Sequence, residues 1–324
     1  MKRDVRYTVI IPAYNEEEVI RESYRRLTGV MEAIGEPYEL LFINDGSKDD
    51  TALIIETLSM TDPRVKLLDF SRNFGHQIAI TAGMDHARGD AVIIIDADLQ
   101  DPPEVIPQMI AKWREGYEVV YARRAQRKGE SFFKKSTAAL FYRLLNLMAD
   151  IDIPLDTGDF RLIDRKVCDA LGALQEKNRF VRGLVSWVGF RQTAIEYVRE
   201  ERYAGETKYP LKKMLRFSLD GITSFSYKPL KIALYLGLGV TAASFVYLLY
   251  GLVQLAAAGG GSPAGSPLIA CLLLLNGVTL IFLGIIGEYM GRIYDEAKDR
   301  PLYILRNKLP AEKFKLRGVK GNVQ

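Results

Sequence analysis

The chain has 324 residues, 48% of them hydrophobic and 26% charged, with a formal net charge of +4; that length holds one large domain or two smaller parts. Its two cysteines, Cys168 and Cys271, lie in different regions, which implies no disulfide and no zinc site and is consistent with a reducing cytosol. The positive charge is confined to residues 298–324, which carry +6 against −2 for the remainder, so it argues for a surface of anionic lipid or a solvated tail and against nucleic acid.

The N-terminus MKRDVRYTVIIPAYNEE has too short an apolar run for a signal peptide. Short β-rich runs follow at Tyr7–Ile11, Glu39–Ile43, Val65–Phe70, Ala91–Ile95 and Glu118–Tyr121. They are apolar without a clean period of two, as strands buried on both faces are. Helical patterns at Glu16–Ile34 and Thr51–Ser59 alternate with them, which predicts a parallel, doubly wound α/β sheet. A polar cluster follows each run: Pro12-Ala13-Tyr14-Asn15-Glu16, Asn44-Asp45-Gly46-Ser47, Ser71-Arg72-Asn73, Asp96-Ala97-Asp98 and Ala122-Arg123-Arg124. Open α/β sheets bind ligands outside the carboxyl ends of their strands, so five clusters at five such ends predict a nucleotide site.

Beyond residue 125 the pattern changes. Segments 131–149 and 210–228 are apolar with basic residues near their starts; each reads as an interfacial amphipathic helix or as a helix packed on the domain. Between Lys231 and Glu288 no residue is charged, a run of 56 positions. A span needs about 20 apolar residues, so the run fits two transmembrane helices, at about 230–257 and 267–291, joined by a Gly/Ser/Pro turn at 259–267. Lys228 and Lys231 precede the first span, and Arg292 and the basic tail follow the second. The positive-inside rule then places both termini on the cytoplasmic side of the membrane. Gly237-Leu238-Gly239-Val240-Thr241-Ala242 fits a dinucleotide-loop pattern, but no strand precedes it; small residues for close helix packing are the better reading.

The chemistry concentrates at Asp96 and Asp98. Residues i and i+2 of a strand point the same way, so both carboxylates can face one ligand. Hard oxygen ligands suit Mg2+ or Mn2+ with positions left for phosphate oxygens. Such a cation neutralises charge as a diphosphate leaves. His76 and His86 lack partner spacing for zinc; His76 is read as a packing residue, with a place near the donor site as the alternative.

With these motifs in place, the sequence resembles glycosyltransferase family 2, in the polyprenyl-phosphate glycosyltransferase branch related to dolichol-phosphate mannose synthase. The resemblance rests on Ile11-Pro12-Ala13-Tyr14-Asn15-Glu16-Glu17, Asn44-Asp45-Gly46-Ser47, Arg72-Asn73-Phe74-Gly75, Asp96 through Glu104, Gly158-Asp159-Phe160-Arg161-Leu162 and Gly205-Glu206-Thr207-Lys208-Tyr209. It runs from about residue 5 to 295. Asn44 departs from the pattern, since many relatives have Asp before Asp45. The resemblance implies a GT-A fold over residues 1–209, an interfacial helix at 210–229, the two spans within 230–293 and a basic tail from 294.

It also implies an inverting transfer of a hexose from a UDP- or GDP-sugar, with UDP-glucose favoured, to a polyprenyl phosphate such as undecaprenyl phosphate. Pro12, Tyr14, Glu16 and Asp45 match positions that hold base and ribose, with Asn15 and Ala97 in the same nucleotide-sugar site. Asp96, Asp98 and Gln100 match the metal and diphosphate site. Asp159 matches the residue usually proposed as base, yet a phosphate monoester is already largely dianionic at neutral pH, so an orienting role is the alternative. Arg199, Arg202 and Lys208 precede the membrane segment and are expected to bind the lipid phosphate and leaving group; Arg123, Arg124, Arg179 and Arg182 are weaker candidates. A processive polysaccharide synthase, a GDP-mannose-dependent enzyme and a non-catalytic flippase partner are the competing readings. Small residues in the spans would allow a homo-oligomer.

Overall fold

The computed structural model describes residues 4–125, 157–174, 176–198, 228–257 and 265–306. The expected amphipathic segments at 131–149 and 210–227, the connecting turn through Ala264, and the tail beyond Arg306 lie outside the described residues. So do Arg199, Arg202 and Lys208.

Seven described strands form one sheet: β1 (Tyr7–Ala13), β2 (Tyr38–Asn44), β3 (Val65–Asp69), β4 (Ala91–Ile94), β5 (Val119–Arg124), β6 (Thr157–Asp164) and β7 (Gln192–Tyr197), in the order β3-β2-β1-β4-β6-β5-β7. The five strands expected from the sequence are present. β6 and β7 were not anticipated, and β6 runs antiparallel to β4 and β5 while the other pairings are parallel. The reversal brings the first residues of β6 to the edge where the parallel strands end.

Helices cover both faces. Tyr7, Val9 and Ile11 of β1 and Leu40 and Phe42 of β2 pack with Ile20, Leu27 and Met31 of α1 (Ile20–Ile34), Ile55 of α2 (Thr51–Thr61) and Met109 and Ile110 of α4 (Ile106–Arg114). Ile10, Leu41, Ile43, Val92 and Ile94 face the other way. They meet α3 (His76–His86), α5 (Arg165–Ala173) and α6 (Val181–Trp187) through Ile80, Met84, Val167, Leu171, Leu184 and Val185. Successive strand residues therefore serve two apolar layers, which is why the strands lack an apolar–polar alternation. This is a three-layer, mainly parallel α/β fold of the GT-A type.

Two long helices follow, α7 (Lys228–Ala257) and α8 (Gly265–Ala297). At about 1.5 Å per residue each is long enough to cross a bilayer. Leu275–Lys298 meets criteria of length and apolarity for a membrane span among the described residues. Large apolar side chains on both helices are exposed, including Tyr235, Phe245, Val253, Leu280, Ile286 and Met290. A Cβ on Gly237 would lie 3.3 Å from the Phe282 ring, so this glycine permits close approach of α7 to α8, as its small-residue context led us to expect. After α8 the chain turns through Asp299 (φ 45°) and returns to the sheet. Phe70 and Leu305 form an antiparallel bridge at the β3 edge.

Candidate active site

The strand order reverses direction at β1, with β2 on one side and β4 on the other. β4 stays paired with β1 only as far as Ile94, opposite Ile10, while β1 runs on beside β2 to Ala13. A crevice therefore opens past the carboxyl ends of β1 and β4, where doubly wound folds bind ligands. Pro12, which has no N–H to give a ladder, falls in the stretch of β1 that β4 no longer pairs.

The loops after β1 and β2 hold each other. Asn15, in the left-handed region at φ 52°, donates its backbone N–H to the Ser47 hydroxyl oxygen at 3.0 Å, and its side-chain oxygen accepts from Lys48 N–H at 2.9 Å. Glu16 N–H donates to Thr51 Oγ1 at 2.8 Å. Tyr14, Asn15 and Glu16 are half-buried and Pro12 is buried. The loop after β3 closes the other wall. Asp45, buried, accepts from the backbone N–H groups of Phe74 at 2.7 Å and Gly75 at 3.0 Å. Burial raises its pKa despite those bonds. Gly46 makes this closure possible: φ is +66°, and a Cβ there would come within 2.3 Å of the Arg72 carbonyl carbon. Gly75, at φ 103°, then turns the chain into α3.

Asp96 and Asp98 lie just past β4 in a turn, not within the strand. Strand alternation therefore does not set their direction, which corrects the argument from i and i+2. The turn is shaped by Leu99 at φ 58° and by Gln100 N–H, which donates to Asp98 Oδ1 at 3.1 Å. Ala97 and Asp98 are buried and Asp96 is partly exposed. Asp96 Oδ1 is nonetheless enclosed and has no hydrogen-bond partner. Burial pushes the Asp96 pKa up to about 6; His76 opposes the shift, while Asp101, Asp159 and Asp98 add to it.

His76 stands at the centre, which corrects its reading as a packing residue. As the first residue of α3 it points Nε2 at Asp159 Oδ2, 3.1 Å away, and at Asp96 Oδ1, 3.5 Å away. Burial disfavours its charge, but the Asp96 and Asp159 carboxylates outweigh burial and push its pKa up to about 9. Asp159, near the start of β6 and buried, is gripped by Arg182 from α6 through Nε at 2.8 Å and Nη2 at 3.0 Å. Burial alone would raise Asp159; Arg182 and His76 instead hold it well below the usual carboxylate range. Gln77 locks the frame, its amide oxygen accepting Val181 N–H at 2.9 Å.

The arginines divide by position. Arg124, at the end of β5, turns toward the site: a Cβ on Gly158 would lie 3.4 Å from its Nη2 and 3.9 Å from Asp101 Oδ2. Arg124 Nε also donates to Tyr197 Oη at 3.4 Å, and the Tyr197 hydroxyl donates to Asp101. Its neighbour Arg123 is exposed and pairs with Glu196 at 2.6 Å. Arg179, a weaker candidate for phosphate, is buried and donates to the carbonyls of Leu171 and Leu174 at the end of α5, which is a packing role.

Among the described residues no three His, Cys, Asp or Glu side chains gather as a metal cage. Two carboxylates, one of them with an enclosed oxygen that makes no hydrogen bond, and an amide at Gln100 still fit a hard cation that takes its other ligands from a diphosphate and water. The like charge of Asp98 and Asp101 beside Asp96 favours such a cation.

Residues 8–172 match the family Glycosyl transferase family 2, and residues 228–293 match the GtrB C-terminal hairpin. The chain belongs to glycosyltransferase family 2. Among similar proteins, the uncharacterized glycosyltransferase YkcC of Bacillus subtilis is 62% identical over 98% of this chain and 98% of its own length. The bactoprenol glucosyl transferase of Shigella phage SfV is 44% identical over 94% of this chain and 99% of its own. A prophage bactoprenol glucosyl transferase homolog of Escherichia coli is 42% identical over 93% and 99%. In this glycosyltransferase the sequence motifs located the crevice walls and the acidic turn. They missed Gln77 and Tyr197, gave His76 a place near the donor site only as the alternative, and held Asp101 within a motif without assigning it a role. A signal for His76 was present: Asn73-Phe74-Gly75 ends a strand–loop unit at the same edge, so the first residue of the next helix faces the ligand.

Proposed function

We propose that this glycosyltransferase moves a hexose, with inversion, from a UDP-sugar, UDP-glucose above all, to a polyprenyl phosphate at the cytoplasmic face of the membrane. The observation that carries this is the acidic turn at the switch point, with Asp96 Oδ1 enclosed and making no hydrogen bond, joined to a hairpin whose exposed apolar faces suit lipid and not water. The names of the Shigella phage and Escherichia coli relatives support the lipid acceptor and glucose.

In this reading Pro12, Tyr14, Asn15, Glu16 and Asp45 border the base and ribose, with Asp96, Ala97 and Asp98 at the diphosphate. Asp45 acts there by shaping the wall, since its oxygens are engaged by Phe74 and Gly75. Asp96, Asp98 and Gln100 would hold Mg2+ or Mn2+. When bound, the cation supplies charge neutralisation for the departing nucleoside diphosphate. Asp159, pinned and ionised by Arg182 and His76, orients groups at the sugar better than it accepts a proton. A dianionic lipid phosphate needs no strong base. Arg202 and Lys208, with Arg199, are assigned to the two phosphates, and Arg124 comes closer to the crevice than Arg123.

The return of residues 303–306 to the sheet supports the topology. An α8 that ends on the side of the catalytic domain is consistent with a hairpin that crosses twice, and the flanking charges favour the cytoplasmic side for both of its ends. The test is a donor screen with purified enzyme, undecaprenyl phosphate and radiolabelled UDP-glucose or GDP-mannose, with and without Mn2+ or Mg2+. A mobile labelled lipid from UDP-glucose that requires the cation is expected. An immobile polymer would instead indicate a processive synthase, and no turnover of any donor a non-catalytic partner.

A further inference from the structure

The segment that follows the hairpin is not a free basic tail where it is described. Residues Pro301–Arg306 dock against the β3 edge and α3. Ser71 N–H donates to Ile304 O at 2.9 Å, and Arg306 N–H donates to Asp69 O at 2.7 Å. Tyr303 stacks on Phe70 with ring centroids 5.3 Å apart, and its hydroxyl reaches Asp85 Oδ2 at 3.2 Å and His86 Nε2 at 3.1 Å. Upstream, Lys177 binds Glu296 and Asp299, each at 2.7 Å.

From Arg306 a chain of polar contacts leads to the crevice. Its Nη1 lies 3.3 Å from Asp69 Oδ2, and Asp69 Oδ1 accepts from Asn44 Nδ2 at 2.6 Å. Asn44 Oδ1 accepts Ser47 N–H at 3.1 Å, and Ser47 Oγ accepts Asn15 N–H at 3.0 Å. Each group after Arg306 is held by the one before it, and the last two belong to the walls of the crevice. The pattern also accounts for Asn44. A carboxylate at that position would face Asp69 at hydrogen-bond distance and could not donate to it.

We propose that Pro301–Arg306 positions the nucleotide-recognition loops from outside the site, with Arg306 as the positioning residue acting through Asp69 and Asn44. The chain thereby ties donor recognition to the membrane anchor. The proposal rests on the reading of the 12–16 and 44–47 loops as the donor site.

The test uses the full-length enzyme in anionic-lipid vesicles with undecaprenyl phosphate and a UDP-glucose titration. Arg306→Ala should raise KM for UDP-glucose about threefold, the scale of a part-exposed ion pair, with kcat within about twofold, and Arg306→Lys should restore most of the loss. A strap that only seals the sheet edge would lower the folded fraction and leave KM unchanged, which overturns the proposal. Hydrogen exchange of the same protein supplies a readout that needs no turnover. Peptides covering Asn15, Ser47 and Phe74 should exchange faster in Arg306→Ala, while α1 is unchanged. Unchanged exchange in those peptides overturns the proposal whatever the kinetics. Absence of UDP-glucose turnover in the wild type would instead count against the donor reading, and the exchange result would still decide the role of the strap.

Discussion

Asp159 is surrounded by donors, and that limits the chemistry open to it. Arg182 takes both of its oxygens, and His76 contacts one of them. Removing the charge would leave the half-buried Arg182 and His76 facing a neutral amide at a buried position, a loss larger than that of one hydrogen bond. Asp159→Asn is therefore expected to lower turnover more than tenfold at neutral pH in a purified-enzyme assay. Near-normal turnover would remove Asp159 from the reaction. The acidic turn makes a second prediction at this scale, at Asp98. Asp98→Ala should abolish stimulation by Mn2+ or Mg2+, read as equal rates with and without cation. Gly46 makes a third. Gly46→Ala places a methyl group against the Arg72 backbone in a left-handed conformation, at a cost of roughly 1–3 kcal/mol. A lower midpoint in thermal unfolding with a raised donor KM is expected, and an unaltered protein would show that the loops yield there.

Helix α3 joins the site to the strap, with His76 at one end and His86 at the other. Burial lowers the His86 pKa below 6.5, with no opposing carboxylate strong enough to reverse it. The sign follows from proton binding. Near and below pH 6.5 the unfolded chain takes up a proton that the folded chain resists, so stability falls as pH drops through 6.5 and levels off below the folded value. Asp85 is raised by burial and works in the opposite sense from 3.8 upward; Arg179 and Tyr303 complete the neighbourhood. Comparing wild type with His86→Asn isolates the histidine. The variant is expected to show a flatter thermal midpoint between pH 7 and 5, and parallel curves would refute this. Legibility in the sequence also divides by element. β1 to β5 were readable because each is a continuous apolar run closed by a polar cluster. β7 was not, since Gln192–Tyr197 is only half-buried along much of its length and resembles an ordinary exposed segment. β6 carries motif residues, but nothing local encodes its direction, which depends on pairing with β4 and β5. The pairings of Asp45, Asn44 and Arg182 are likewise properties of distant chain segments meeting, and no spacing rule announces them.

At the scale of the whole molecule the catalytic domain and the hairpin answer to different solvents. The domain buries its apolar side chains in two layers, while α7 and α8 leave theirs outside. Placing Asp or Lys at Phe245 or Leu280 is expected to weaken membrane association, at roughly 2.5–3.5 kcal/mol per charge near the centre of a span. Vesicle flotation measures this, and unchanged flotation would remove the hairpin from the lipid. The strap has a consequence in time as well as in space. Domains begin to fold as they leave the ribosome, N-terminal parts first, so β1 to β7 are available before α7 and α8 exist. The edge of β3 must then stay open until the last segment arrives, and that segment arrives only after the hairpin has been made. Completion of the sheet is thus a late event in the life of each new chain, and a molecule whose hairpin goes astray leaves the edge at Phe70 uncovered.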